Sequence, residues 1–323
     1  MEELEQEVAL FRSATFSDNT KATYSSQLKS YLKFCNMMCV PPVPASEAQV
    51  SMYAAYLARR LSASSIKPYL NIIRLLHIEN GYANPYQESW LVKSTIKGIQ
   101  KTLGMQSNRK VPIQPSLLIE MHKHIDISNL LECMFWAAAL VLFFGTFRKS
   151  NLLPNKPSEF SADKQFCRSA FVVNGNGPIE QDVTWSKTIQ CKERSFKVVL
   201  PKVPDSVLCP VKAVFHAFSM VPLPPCSPAI VQDVHGTPLT GSVFNKQLKH
   251  LVEKCGLEPS QFSSHSFRRG SATWALQCGV PGEVVKLMGD WRSSVYLSYL
   301  DNVPQNVIDH YRNVFASRMS FLK

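Results

Sequence analysis

The stretch SSHSFRRGSATWAL (263–276) sets His265 three residues ahead of Arg268, with Arg269 next and small residues after it. Residues three apart on a helix share a face. A histidine beside an arginine can hold a phosphate, the arginine through its planar fork of donors. The same pair can also be a helix cap with some surface charge. Three other stretches pose the same choice. FGTFRKSNLLP carries Arg148 after a strongly apolar run, where a lone buried cation is very costly; a phosphate or a salt bridge would satisfy it. TWSKTIQCKERSFKVVL carries Lys187 where a strand enters a hairpin turn, one lysine among several. MGDWRSSVYLSYLD carries Trp291 after a Gly-Asp turn and Tyr299 eight residues later, with Tyr296 between them. A core tryptophan and an amphipathic helix would look alike.

These residues need elements to carry them. The first third is helical by pattern. DNTKATYSSQLKSYLKFC starts at a capping Asp18 or Asn19, ASEAQVSMYAAYLARR follows with Ser46 as cap, and SASSIKPYLNIIRLLHIENG ends at Gly81. A fourth helix is expected from Pro85 to Gly104. Such helices joined by short Pro/Gly breaks make a bundle. The polar, basic segment Gly104–Ile113 reads as a linker. Beyond it, PSLLIEMHKHI and LLECMFWAAALVLFFGT read as helices, the second largely buried. Between Gln165 and Val203 the pattern turns β: FCRSAFVV, then DVTWSKTI and SFKVVLPKV flanking the turn QCKER. Helices resume at CPVKAVFHAF. The expected class is mainly α with a small antiparallel β-sheet.

With 323 residues, 45% hydrophobic and 18% charged, the chain can bury a substantial core. Its net charge of +11 suits a polyanionic partner. Asn19–Lys110 holds 12 Lys/Arg against three acids, whereas the longer stretch Val111–Lys323 holds 22 against 16. A basic first third suits a DNA backbone or simply a soluble basic surface. Nine scattered cysteines without a CxxC pair argue against a disulfide framework and for a reducing compartment. The start MEELEQEVALF is acidic, unlike a signal peptide, and the apolar run 134–147 is too short to span a bilayer, so no membrane partner is expected.

The order Arg148, Lys187 on a hairpin, His265-x-x-Arg268, Gly-x-Trp291 and then Tyr299 resembles the tyrosine recombinase family. The resemblance covers roughly Val111 to Leu300, and the basic helical bundle before it is similar to that family's core-binding domain. HSFRRGSATWALQCGVP and MGDWRSSVYLSYL look most like the recombinases of DIRS-type and Ngaro-type retroelements and of cryptons. The resemblance implies a helical DNA core-binding domain over 1–105 and a catalytic domain over 106–323, ending in a helix at 303–318. It implies a DNA-cutting and rejoining enzyme that integrates or exchanges a mobile element's DNA.

In that scheme Arg148 and Arg268 grip the non-bridging phosphate oxygens and neutralise charge in the transition state. His265 adds a hydrogen bond or accepts the nucleophile's proton, and the Trp291 indole can only donate. Tyr299 attacks, and Lys187 protonates the leaving 5′-oxygen. The products are a 3′-phosphotyrosine and a free 5′-hydroxyl, with neither cofactor nor metal called for. Asn151 stands where many members carry an acid and is read as a substitute for it. Basic residues expected on DNA are Lys21, Lys29, Arg59, Arg60, Lys67, Arg74, Arg109, Lys110 and Arg269. The partner expected is double-stranded DNA, held by a homotetramer on two duplexes that exchanges its C-terminal helices. The free protein is expected to be a monomer, and the compartment the nucleus. Two alternatives remain at this level: a domesticated, non-catalytic DNA-binding protein, and a topoisomerase-like nicking and resealing enzyme.

Overall fold

The computed structural model of the chain describes residues 2–104, 109–173, 177–191, 193–293 and 296–297. Tyr299 and the expected helix at 303–318 lie outside the described residues. The chain divides into two units, Met1–Asn108 and Arg109–Lys323. The described residues are mostly helical, with one small antiparallel sheet. No described helix is long and apolar enough to cross a membrane.

The first unit contains α1 (Glu2–Ser13), α2 (Asp18–Met38), α3 (Glu47–Ala58), α4 (Ala63–Glu79) and α5 (Trp90–Leu103). The sequence pattern marks only the last four. In α1 the apolar Leu4, Val8 and Phe11 stay exposed, so the helix rests on propensity and not on burial. Serine hydroxyls fix three starts: Ser17, Ser46 and Ser89 accept the amides of Thr20, Gln49 and Val92. The first cap is therefore Ser17, one residue before the expected Asp18, and α5 begins at Trp90, five after the expected Pro85. Tyr31, Phe34, Tyr53, Ile66, Leu70 and Ile73 form the core of this bundle.

The second unit is built around α7 (Leu130–Phe144), whose residues Cys133 to Phe143 are all buried. A helix apolar on every side must be surrounded, and α7 packs against α8 (Pro210–Met220), α9 (Gly241–Lys254) and α10 (Ser264–Gln277). The remaining helices are α6 (Pro115–His122) and α11 (Gly282–Met288). The sheet has the order β1 (Val172–Val173), β2 (Ile179–Val183), β3 (Phe196–Leu200), antiparallel throughout. Ile179, Gln181 and Val183 face the core while Glu180 and Asp182 face away, the alternation a half-buried strand requires.

Two β expectations need correction. FCRSAFVV is mostly not strand: Arg168–Ala170 form a 3-10 turn, with the Arg168 guanidinium stacked on Phe218. DVTWSKTI leaves the sheet at Val183. Ser186 and Ile189 then exchange amide–carbonyl bonds of 3.2 and 3.1 Å across Lys187 and Thr188. Lys187 thus sits on a tight two-residue turn within the β2–β3 connection, not at the end of a strand.

The extended segment Val111–Ile113 runs beside α10. The Val111 amide donates to Gln261 O at 2.9 Å and the Ile113 amide to Ser266 O at 3.0 Å. It approaches so closely that a Cβ on Gly270 would lie 1.7 Å from the Ile113 carbonyl oxygen. A backbone oxygen cannot rotate away. Gly270→Ala should therefore destabilise the second unit by about 1–3 kcal/mol or more, read as a lower denaturant midpoint. An unchanged midpoint would mean that this segment does not pack on α10 in solution.

Candidate active site

Helix α10 positions the central residues. Ser263 caps it, and Ser266 bonds back to the Ser263 amide to complete a capping box. That firm start places His265, Arg268 and Arg269 in the first turns. Arg268 is 3% exposed. Its guanidinium donates to the carbonyls of Thr146 and Gly289 and lies 4.1 Å above the Trp291 ring. The turn after α7 thereby meets the turn after α11. Thr146 takes φ +52 and its hydroxyl pairs with Ser271 Oγ at 2.8 Å. Trp291 is itself buried, with Ala272, Leu276, Val285 and Tyr296. A Cβ on Gly289 would lie 1.8 Å from its ring. Trp291 therefore serves as the floor beneath Arg268, a role beyond the indole donor expected from sequence.

Arg148 follows α7 by four residues and is about one-fifth exposed. It donates Nη2 to the Asp290 carbonyl at 3.3 Å, and its Nη1 lies 3.6 Å from Asp290 Oδ2. The salt bridge weighed from sequence is thus present, and the side chain stays partly exposed. Arg148, Arg268 and Arg269 all act electrostatically on His265. His265 is an exposed residue, yet its pKa falls below the ordinary value, first through desolvation by its surroundings and then through these three cations. At neutral pH the imidazole is uncharged and able to accept a proton.

Asp290 was not anticipated. It is 5% exposed and takes φ +49, a left-handed conformation that aspartate tolerates better than most residues. Its carboxylate accepts from Ser186 Oγ, Thr188 Oγ1 and Arg194 Nη2. Burial alone would raise its pKa; those hydrogen bonds and the Arg194 charge outweigh it and hold the carboxyl below the usual range. Arg292 adds bonds to the Thr188 carbonyl and, at 3.1 Å, to Glu193. The Lys187 turn is thus tied to the Gly289–Arg292 turn, and Lys187 itself is exposed. Asn151 is buried and donates to the Trp185 carbonyl at 2.9 Å, so it supports the same turn. The hints were the hydroxyls flanking lysine in SKT and the acid in GDW, but nothing in the sequence pairs residues about a hundred positions apart.

Of the residues expected on DNA, Lys21, Lys29, Arg59, Arg60, Lys67 and Arg109 are exposed and Arg74 is half-buried. Arg60 donates to Tyr56 and Arg74 to Asn71. Lys110 binds the Ser260 carbonyl at 2.6 Å. Arg269 is 3% exposed and donates to the Lys110 carbonyl. It fastens the segment ahead of α6 to α10.

The chain was compared with known proteins. The family model described as "Phage integrase family" matches residues 212–301, and "Phage integrase, N-terminal SAM-like domain" matches residues 4–79. The first match contains His265, Arg268, Trp291 and Tyr299; Arg148 and Lys187 precede it. An integrase/recombinase xerD homolog of Selenomonas ruminantium is 24% identical over 268 residues, 81% of this chain and 74% of that protein. The fold is similar to the Tn1549 transposon integrase solved with transposon right-end DNA, with a TM-score of 0.60, 12% identity, and coverage of 96% of this chain and 98% of that one. It is similar to a lambda integrase dimer solved on a COC′ core site, with a TM-score of 0.60, 15% identity, and coverage of 92% and 94%.

The electrostatics of this cluster can be tested directly. His265 should titrate below the ordinary histidine value of about 6.5, and Arg148→Gln should move it upward by removing a cation that opposes protonation. Side-chain NMR across pH 4–8 follows both. Titration at or above the ordinary value in the wild type would show that the three guanidiniums do not converge on this ring.

Proposed function

We propose that this chain is a member of the phage integrase (tyrosine recombinase) family and cuts and rejoins DNA through a 3′-phosphotyrosine at Tyr299. The observation that carries the reading is the meeting of Arg148, Arg268, His265 and Trp291 in one place, with the Lys187 turn fastened to the same site. A phosphodiester anion repels an attacking oxyanion, and two forked cations offset that repulsion as charge grows in the transition state.

The Tyr299 oxygen attacks the scissile phosphorus and the bond to the 5′-oxygen breaks. Neutral His265 accepts or shares the phenolic proton, whose free pKa of about 10 falls near such cations. The Lys187 ammonium gives a proton to the leaving 5′-oxygen. A 5′-hydroxyl from another strand reverses the step, so bond energy is retained and no nucleotide is consumed. The arginines supply the charge neutralisation, so the scheme calls for no metal. Exposed Lys21, Lys29, Arg59, Arg60 and Lys67 make the first unit a DNA-backbone surface. The wording of HSFRRGSATWALQCGVP and MGDWRSSVYLSYL supports a mobile element of the DIRS, Ngaro or crypton kind, acting in a nucleus. Assembly as a tetramer on two duplexes, with exchange of the 303–318 segment, belongs to the same reading and keeps cleaved ends together.

Two tyrosines compete for the nucleophile's role. Tyr296 is buried, 5.9 Å from the Trp291 ring, and its hydroxyl would lie 2.8 Å from a Cβ on Gly282, so it is packed as a core residue. Tyr299→Phe should abolish the covalent protein–DNA adduct on a nicked terminal-repeat substrate while duplex binding survives. An adduct that persists in Tyr299→Phe and disappears in Tyr296→Phe would reverse the assignment.

A further inference from the structure

The Lys187 turn owes its position to one acid. The two residues on either side of Lys187, Ser186 and Thr188, both donate their hydroxyls to Asp290 Oδ2. The two hydroxyls also lie 2.9 Å apart, and the Thr188 amide donates to Ser186 Oγ at 3.1 Å. Farther along the same connection, Arg194 donates to Asp290 Oδ1. Upstream, Asn151 fixes the Trp185 carbonyl. The lysine is therefore bracketed by anchored residues, although its own side chain is exposed. The same Asp290 meets Arg148 through both its carboxylate and its backbone carbonyl.

On the recombinase reading above, we infer that Asp290 is a positioning residue. It sets the reach of the Lys187 ammonium toward the leaving oxygen and registers that lysine against the Arg148 guanidinium. Asn151, uncharged where an acid is common, holds the backbone of the turn. The negative charge that steadies the first arginine comes instead from Asp290, 139 positions later in the chain. The carboxylate suits this role because it accepts several donors at once, whereas a carboxamide offers one oxygen. Asparagine also tolerates the left-handed backbone at this position. Asp290→Asn therefore loosens the turn with little backbone strain, and Arg148 keeps its bond to the Asp290 carbonyl.

The test reads Lys187 chemistry through Asp290. Single-turnover adduct formation is measured on two substrates, one with the ordinary 5′-bridging oxygen and one with sulfur there. Sulfur departs without needing a proton. Lys187→Ala should be slow on oxygen, by up to the roughly 10²- to 10⁴-fold that general acid–base catalysis contributes, and close to wild type on sulfur. Asp290→Asn should reproduce that pattern in weaker form, as should the double variant Ser186→Ala/Thr188→Val, which keeps the acid and serves if Asp290→Asn does not fold. Equal slowing on both substrates, or no slowing in either variant, would overturn the positioning role. Failure of the wild type to form an adduct on either substrate would instead remove the recombinase reading on which it rests.

Discussion

Two guanidiniums gathered beside one imidazole repel each other and oppose any proton the ring takes up, and the second unit is arranged around that repulsion. Arg268 is 3% exposed, so water does little to screen it. Its charge is met by the carbonyls of Thr146 and Gly289 and by the face of Trp291. Arg148 is met by Asp290. Both supporting turns contain left-handed residues, Thr146 and Asp290, which costs about 1–3 kcal/mol each. Strain of that kind persists where the surroundings over-determine it, here at the ends of α7 and α11. The apolar α7 is the rigid body from which the first turn projects.

The same constraint explains the protonation states. Desolvation first, and then the cations around it, keep His265 neutral and available to accept a proton. Hydrogen bonds around Asp290 keep it ionised despite burial. A depressed carboxyl stabilises the fold above its unfolded pKa, and that contribution is lost as pH falls through the lower folded value. The tie between the Lys187 turn and the Arg148 site should therefore hold through the ordinary carboxylate range and weaken only at the more acidic pH where Asp290 takes up a proton. A phosphate entering beside Arg148 and Arg268 would add the anion that this cluster of positive charge favours.

Much of this was legible in residue types and spacing. His265 and Arg268 lie together at a helix start, as their three-residue spacing suggests, and α7 is buried, as its uninterrupted apolar run predicts. The comparisons agree with the family that the ordered motifs resemble and with a mainly helical fold carrying a small antiparallel sheet. The misses have physical causes. Arg269 looks like a surface charge in sequence, yet α10 turns it toward Lys110, because adjacent helical residues point in different directions. Asp290 reads as a turn residue after glycine, because its partners Ser186, Thr188 and Arg194 are distant in sequence. The β2 strand ends early because its inward alternation stops at Val183, where the chain turns to present Lys187.

On the proposed function, Arg148 neutralises the charge of a phosphate. The direct measurement is covalent-adduct formation by Arg148→Ala on DNA whose scissile phosphate is replaced by an uncharged methylphosphonate. If the guanidinium is there to offset the negative charge, the variant should be severely slowed on the natural phosphate and should recover much of its rate on the neutral one. Equal impairment on both would contradict the account, leaving Arg148 as a purely structural partner of Asp290.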